Sequence, residues 1–247
     1  MPRVPLGEIV SYLDSYLRIA DVPDERNAVN GLQVENAGRV GSIVAAVDAS
    51  QATIDGVAAG ADGESPLLLV HHGLLWEGNV PLTGRRYRRI TALLEQDIAL
   101  YSAHIPLDLH PEVGNNVVLA ERLGIEVEGW FGDYHGAPIG VWGHAPQRLT
   151  IRDSLLLEVT HALGGAAAGA RLVPGGPEVV GRVGIITGSA GNMIAAAHDA
   201  GLDTFITGEG PHHSYFDAME WGVNLLFAGH YATETLGVQA LASHVAE

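Results

Sequence analysis

Apolar residues recur at helical spacing through Ile9, Val10, Leu13, Tyr16, Leu17 and Ala20, which predicts an amphipathic helix over 6–20, ended by Asp21 and Pro23. Short β-branched or apolar runs over 43–47, 67–70 and 98–101 predict strands, and the segments between them, 51–59 and 87–94, carry a helical pattern. A helix over 116–123 follows. The stretch 132–147, rich in Gly, Pro and His, then interrupts the alternation and reads as a connection between lobes. Thr150 is the expected N-cap of a helix over 151–163, with Asp153 near its electropositive start and a stop at 164–169. Strands over 183–187, 204–207 and 224–227 alternate with helices over 192–200, 213–221 and 233–245.

The second half repeats the first. In each, a strand–helix–strand unit leads to a strand end bearing chemistry, at His71 and His72 in one and at Gly208 and Glu209 in the other. The next strand reaches His104 with Asp108 four residues on, and its counterpart reaches His230 with Glu234 four residues on. The expected fold is therefore α/β, with two related lobes over 1–131 and 132–247 forming one integrated unit.

Composition narrows the chemistry. The 247 residues include no cysteine, so disulfides, thiolate zinc sites, iron–sulfur clusters and a cysteine nucleophile are excluded and any metal must sit on nitrogen and oxygen. A formal charge of −16 with only 13 basic residues opposes general nucleic-acid binding. The first 20 residues lack the basic start and apolar core of a signal peptide, and no apolar run approaches the roughly 20 residues that span a bilayer. The chain reads as soluble and cytoplasmic. Arg85, Arg86, Arg88 and Arg89 gather four of the 13 basic residues around Tyr87. That cluster has two readings, a solvated helix face or a guide for an anionic or phosphorylated small molecule.

Strand ends in open α/β sheets are where loops leave the core and a cleft forms. His71, His72, His104, Glu209 and His230 all fall at such ends, and a turn beginning at Gly73 can bring the adjacent His71 and His72 imidazoles together. A single histidine there is more often structural than a ligand, but the pair combined with two His-x-x-x-carboxylate corners points to metal. Imidazole and carboxylate suit zinc, iron, manganese or nickel better than calcium or magnesium. Two ions need a bridging ligand, and Glu234 is the candidate. Competing chemistries lack their motifs: Ser189 has no Gly-x-Ser-x-Gly elbow, and the glycines at 188 and 191 are followed by no Lys-Ser or Lys-Thr.

The runs HHGLLW from His71, AHIPLDLHPEVGNN from Ala103, TGEG from Thr207, GHYATE from Gly229 and NGLQVE from Asn30 resemble the NIF-three-like family, whose members carry the name GTP cyclohydrolase I type 2 homologue. The likeness spans nearly the whole chain. It is to the short bacterial form, since the roughly 55 residues between Gly124 and Val179 leave no room for the domain that longer members insert there. The resemblance implies a dinuclear centre between two α/β lobes and a ring-shaped homohexamer. It implies two divalent ions held by His71, His72, Asp108, His230 and Glu234, with His104 close by. Glu209 and His213 lie in a segment that varies among members. With His104 they are the expected proton carriers of a metal-dependent hydrolase whose substrate the resemblance does not specify. The alternative is a non-catalytic metal-binding, regulatory or interaction protein with the same ligands.

Overall fold

The computed structural model describes residues 3–61, 63–164 and 169–247. The chain divides into a first compact unit, Met1–Leu107 with Val238–Glu247, and a second, Asp108–Gly237. The seam lies at 107/108, earlier than the 131/132 boundary expected from the sequence.

In the first unit, β1 (Val4–Pro5) leads into α1 (Leu6–Tyr16), followed by β2 (Gly31–Val34), β3 (Arg39–Val40), β4 (Ser42–Asp48), α2 (Gln51–Gly60), β5 (Pro66–His72), α3 (Gly84–Glu95) and β6 (Ala99–Ser102). Helix α1 is shorter than its apolar periodicity. Arg18 adopts φ 54°, and the Arg18 and Ile19 amides close back onto the Ser15 and Asp14 carbonyls, a Schellman stop that ends the helix before Ile19 and Ala20 can join it. Helix α2 starts where Ser50 accepts a hydrogen bond from the Thr53 amide at 3.1 Å. The main sheet runs β2-β6-β5-β4, with β4, β5 and β6 parallel and β2 antiparallel at the edge beside β6. The continuous apolar run Leu67–Val70 suits a strand covered on both faces, and each of these residues is at most 2% exposed. Leu68 and Val70 pack with Ile54, Val57, Leu93 and Leu100, and burying each such side chain contributes about 1.5–3 kcal/mol.

Helix α4 (Ile105–Asp108) crosses the seam. The second unit continues with α5 (Asn115–Leu123), β7 (Gly129–Tyr134), β8 (Ala137–His144), α6 (Arg152–Ala162), β9 (Arg171–Pro174), β10 (Arg182–Ile185), α7 (Ile194–Asp199), β11 (Thr204–Thr207), α8 (Ser214–Trp221), β12 (Asn224–Phe227) and the start of α9 (His230–Ala246), whose residues from Val238 belong to the first unit. Its sheet runs β7-β8-β10-β11-β12-β9, with β10, β11 and β12 parallel. Leu119, Val141, Leu155, Ile206, Leu226 and Leu236 belong to the core that the sheet shares with its helices.

The duplication read from motifs is a duplication of topology. In each unit a strand that precedes the parallel trio in the chain pairs antiparallel with the last strand of that trio, β2 with β6 and β9 with β12. The stretch expected to connect the lobes is instead part of the β7–β8 hairpin, because His135 and Gly136 both take positive φ, 52° and 88°, the combination a tight two-residue hairpin turn requires. Thr150 does not cap α6: its hydroxyl donates to the Gln147 carbonyl at 3.1 Å, closing a 3-10 turn, and Ile151 takes the cap position. Most of the expected stop at 164–169 lies outside the described residues. Among the described residues, no helix is long and apolar enough to cross a membrane.

Candidate metal-binding residues

In the first unit, three histidines are brought together by adjacent parallel strands. His71 and His72 end β5, and His104 follows β6, whose register is fixed as Ala103 donates to the Val70 carbonyl at 2.9 Å. Successive strand residues ordinarily point apart. Here the chain turns at Gly73, and the two rings lie 4.7 Å apart, with His104 at 5.0 Å from His71 and 5.7 Å from His72. One ring nitrogen from each lies within 4.8 Å of the others, a group able to hold a metal ion. A side chain at position 73 would collide with the Gln33 amide, which also accepts a hydrogen bond from the Leu74 amide at 2.7 Å and so fixes the turn.

Each imidazole is oriented through Nδ1. His71 faces the Ala103 carbonyl at 2.9 Å, His72 the Asp48 carboxylate at 2.9 Å, and His104 the Asp24 carboxylate at 2.8 Å. An Nδ1–H donor places the ring's lone pair on Nε2, the arrangement that makes histidine a metal ligand with an outer acceptor behind it. The donor set therefore fits a nitrogen-preferring divalent ion. Asp24 is held in turn by Asn30 Nδ2 at 2.8 Å and the Ile105 amide at 3.0 Å. Burial pushes its pKa up, but the bonds and charge from His104, with those from Asn30 and Ile105, outweigh this and leave it below the ordinary carboxylate value. Asn30 Oδ1 also accepts from the His104 amide at 2.8 Å. The neighbouring Val29 holds φ 46°, a left-handed conformation that a β-branched residue rarely takes.

The second unit carries Asp108, His230 and Glu234. His230 does not sit at the strand end but opens α9, so Glu234 lies one turn later on the same face, and His230 Nε2 meets Glu234 Oε1 at 3.0 Å. Nδ1 of His230 faces Glu209 Oε1 at 2.9 Å. The hydrogen bond to Glu234 raises the His230 pKa, burial opposes it, and the charges of Glu234 and Glu209 add to the rise, leaving it at about 9. In the metal-free protein the ring is thus an imidazolium between two carboxylates. Glu234 is only 3% exposed. It is hemmed in by Gly188, at φ 71°, where any side chain would overlap Oε1, while the Gly188 amide donates to Thr233 Oγ1 at 3.1 Å. Asp108 accepts from Asn115 Nδ2 at 2.8 Å, and Asn115 Oδ1 accepts from the Gly237 amide at 2.7 Å. Asn116, fully buried, donates to the Ile139 carbonyl at 2.9 Å and accepts from the Thr187 amide at 2.8 Å and hydroxyl at 3.1 Å.

Of the expected proton carriers, His104 is a member of the three-histidine group and is as well placed to be a ligand as His71 or His72. Glu209 touches His230. His213 is exposed at the residue before α8, and neither it nor Glu209 belongs to a group of three or more potential ligands among the described residues. Sequence reasoning missed Asp24 and Asp48, which orient imidazoles, and the Asn115–Asn116 pair that fastens Asp108. For the asparagines the signal was present: Asn30, Asn115 and Asn116 all fall inside the motifs quoted above, and buried amides are there to satisfy backbone groups.

A mixed α/β fold with histidine and carboxylate groups able to hold metal defines the class. The model of the Duf34/NIF3 (NGG1p interacting factor 3) family matches residues 4–247, and the chain belongs to that family. A Deinococcus radiodurans protein named GTP cyclohydrolase 1 type 2 homolog is 44% identical, with 96% of this chain and 87% of that protein aligned. A Pseudomonas aeruginosa protein of the same name is 40% identical over 98% of this chain and 92% of its own length. Among solved structures, the protein ybgI, described as of unknown function, superposes with a TM-score of 0.85 at 36% identity, covering 98% of this chain and 94% of its own. The reduced HcgD of Methanocaldococcus jannaschii, at 24% identity, TM-score 0.80 and coverage of 99% and 94%, shares the fold.

Proposed function

We propose that this chain is a dinuclear metal-dependent hydrolase acting on a small anionic molecule. His71, His72, Asp108, His230 and Glu234 would hold the two ions, and Glu234, with two carboxylate oxygens, could serve both. The observation that carries the reading is the Nδ1 anchoring of three clustered imidazoles by Ala103, Asp48 and Asp24, an investment in ring orientation that a merely structural histidine does not need. Bound divalent ions supply Lewis acidity, which acidifies water and polarises the bond to be broken. His104, with Asp24 behind it, accepts and returns a proton at Nε2, its imidazolium form stabilised by that carboxylate. Glu209 keeps the His230 ring oriented toward Glu234. His213 stands as a proton carrier only if substrate binding brings it in.

The name carried by the curated relatives points the same way, toward hydrolysis of a small molecule. A ring-shaped homohexamer of such chains in the cytoplasm, each with its two lobes acting as one unit, completes the reading and rests on the family resemblance and on composition. The test is elemental analysis of untagged protein after reconstitution with zinc, iron, manganese or nickel, followed by a hydrolysis screen on the same material. Two ions per chain and turnover of a small anionic ester or ring are expected. Saturation at one ion sinks the dinuclear reading, and two ions without any turnover favour a metal-binding or regulatory protein.

A further inference from the structure

Helix α3 carries its arginines in an unfavourable place. Arg85, Arg86, Arg88 and Arg89 occupy the first two turns, where the helix dipole disfavours cations, no acidic residue sits in the first turn, and Thr83 gives no side-chain cap. Three of the four do not simply face solvent. Arg85, Arg86 and Arg89, related by three and four residues, line a cavity of about 110 Å³ whose other wall is the loop from Gly73 to Glu77. The Arg86 guanidinium is fixed by the Gly78 carbonyl at 2.8 Å, and Arg85 pairs with Glu77. The Nε–H donors of Arg86 and Arg89 are buried without an acceptor among the described residues. Against these three guanidiniums stands one carboxylate, in a protein whose net charge is −16.

Trp76 joins this cavity to the histidines. It lines the cavity, and its ring also meets His104 edge-on at 5.0 Å and His72 at 6.1 Å. The space is a few water volumes, since each water takes about 30 Å³. It admits a phosphoryl group and excludes a nucleoside. Guanidinium forks match a tetrahedral oxyanion's geometry as well as its charge.

We propose that the cavity between α3 and the 73–77 loop binds the terminal phosphoryl group of the substrate, with Arg86 and Arg89 as the principal donors. The rest of that molecule then extends past Trp76 toward His72 and His104. Calling the bound anion part of a substrate rests on the hydrolase reading above; the affinity of the cavity for phosphate does not.

The test uses inorganic phosphate as the probe, titrated calorimetrically into metal-free and metal-loaded full-length protein at low ionic strength. Binding to the metal-free protein is expected, weakened at least tenfold in Arg86→Gln/Arg89→Gln, unchanged in Arg88→Gln, and accompanied by unaltered metal content. Glu77→Gln removes the competing carboxylate from an exposed position and should tighten binding several-fold, so the proposal stays testable even if the double variant folds poorly. Phosphate bound only by the metal-loaded protein, or equal affinity in the double variant and the parent, overturns it. A protein that binds no metal yet binds phosphate through Arg86 and Arg89 removes the hydrolase reading and leaves the site standing.

Discussion

Gly188→Ala isolates the device that holds Glu234 against His230. The new methyl would overlap Glu234 Oε1, and the carboxylate would have to retreat by roughly 1 Å to reach an ordinary contact of about 3.5 Å. That displacement breaks the 3.0 Å pairing with His230, a charge-assisted bond whose loss costs about 1.5–3 kcal/mol. The left-handed backbone adds about 1–2 kcal/mol for a residue with a Cβ, partly offset by a less free unfolded chain. The total is about 2–4 kcal/mol in the metal-free protein. Gly222→Ala is the control, because Gly222 has the same φ of 71° and open space around its absent Cβ, so only the backbone cost of about 1 kcal/mol remains. Urea unfolding measures both. Proton-coupled NMR of the imidazoles reads the second consequence, a fall of the His230 pKa from about 9 toward its ordinary 6.5. Equal stability of the two variants, with His230 still titrating near 9, would refute the reasoning.

Three further outcomes follow from the same geometry. Because the folded-state pKa of His230 lies above its unfolded value of 6.5, its contribution to metal-free stability is fully present below that value and is lost as pH rises through about 9. The shift is worth about 3 kcal/mol at face value, and the side chain's 34% exposure reduces this to roughly 1–2 kcal/mol; urea unfolding midpoints that do not fall between pH 6 and pH 9.5, roughly the ends of that window, would contradict it. Asn116→Ala strands the buried Thr187 amide and opens a void, and should cost about 3–4 kcal/mol in urea unfolding, whereas a loss below about 1 kcal/mol would mean the amide network is dispensable. Val29→Asn relieves a left-handed β-branched residue that is 43% exposed and should raise stability by about 0.5–1.5 kcal/mol in the same assay; a destabilised variant would show that the valine side chain contributes packing that outweighs the strain.

The parallel strands were legible because their apolar runs are continuous, and the histidines because each stands where such a run stops. The edge strands β2 and β9 were not. Gly31–Val34 is a four-residue segment only partly buried, and Arg171–Pro174 begins with Arg and ends with Pro, so neither carries the alternation or the length that marks a strand. The β7–β8 hairpin escaped notice because its turn, His135 and Gly136, reads as loop composition, whereas its meaning lies in two consecutive positive φ angles. His230 was placed at a strand end because the residue before α9 is Gly229, which has no side chain to announce a helix start, so helix and preceding strand run together in the pattern. Asp24 and Asp48 were invisible for a different reason. Their work is to accept a hydrogen bond from a histidine 80 and 24 residues away, and no local period encodes such a partnership.

The second unit is inserted into the first, since residues 108–237 lie between the two segments that make up the first unit. The late segment is not idle: His244 stacks on Tyr16 at 4.3 Å and bonds the Tyr12 hydroxyl at 2.5 Å, closing over α1. During synthesis, therefore, α1 waits for residues made only after the second unit. At about 5–20 residues per second, the roughly 230 residues from Tyr16 to His244 take about 11–46 s, in which Tyr12 and Tyr16 lack this partner and the three histidines belong to an unfinished unit. The ribosome's own pace sets how long that interval lasts.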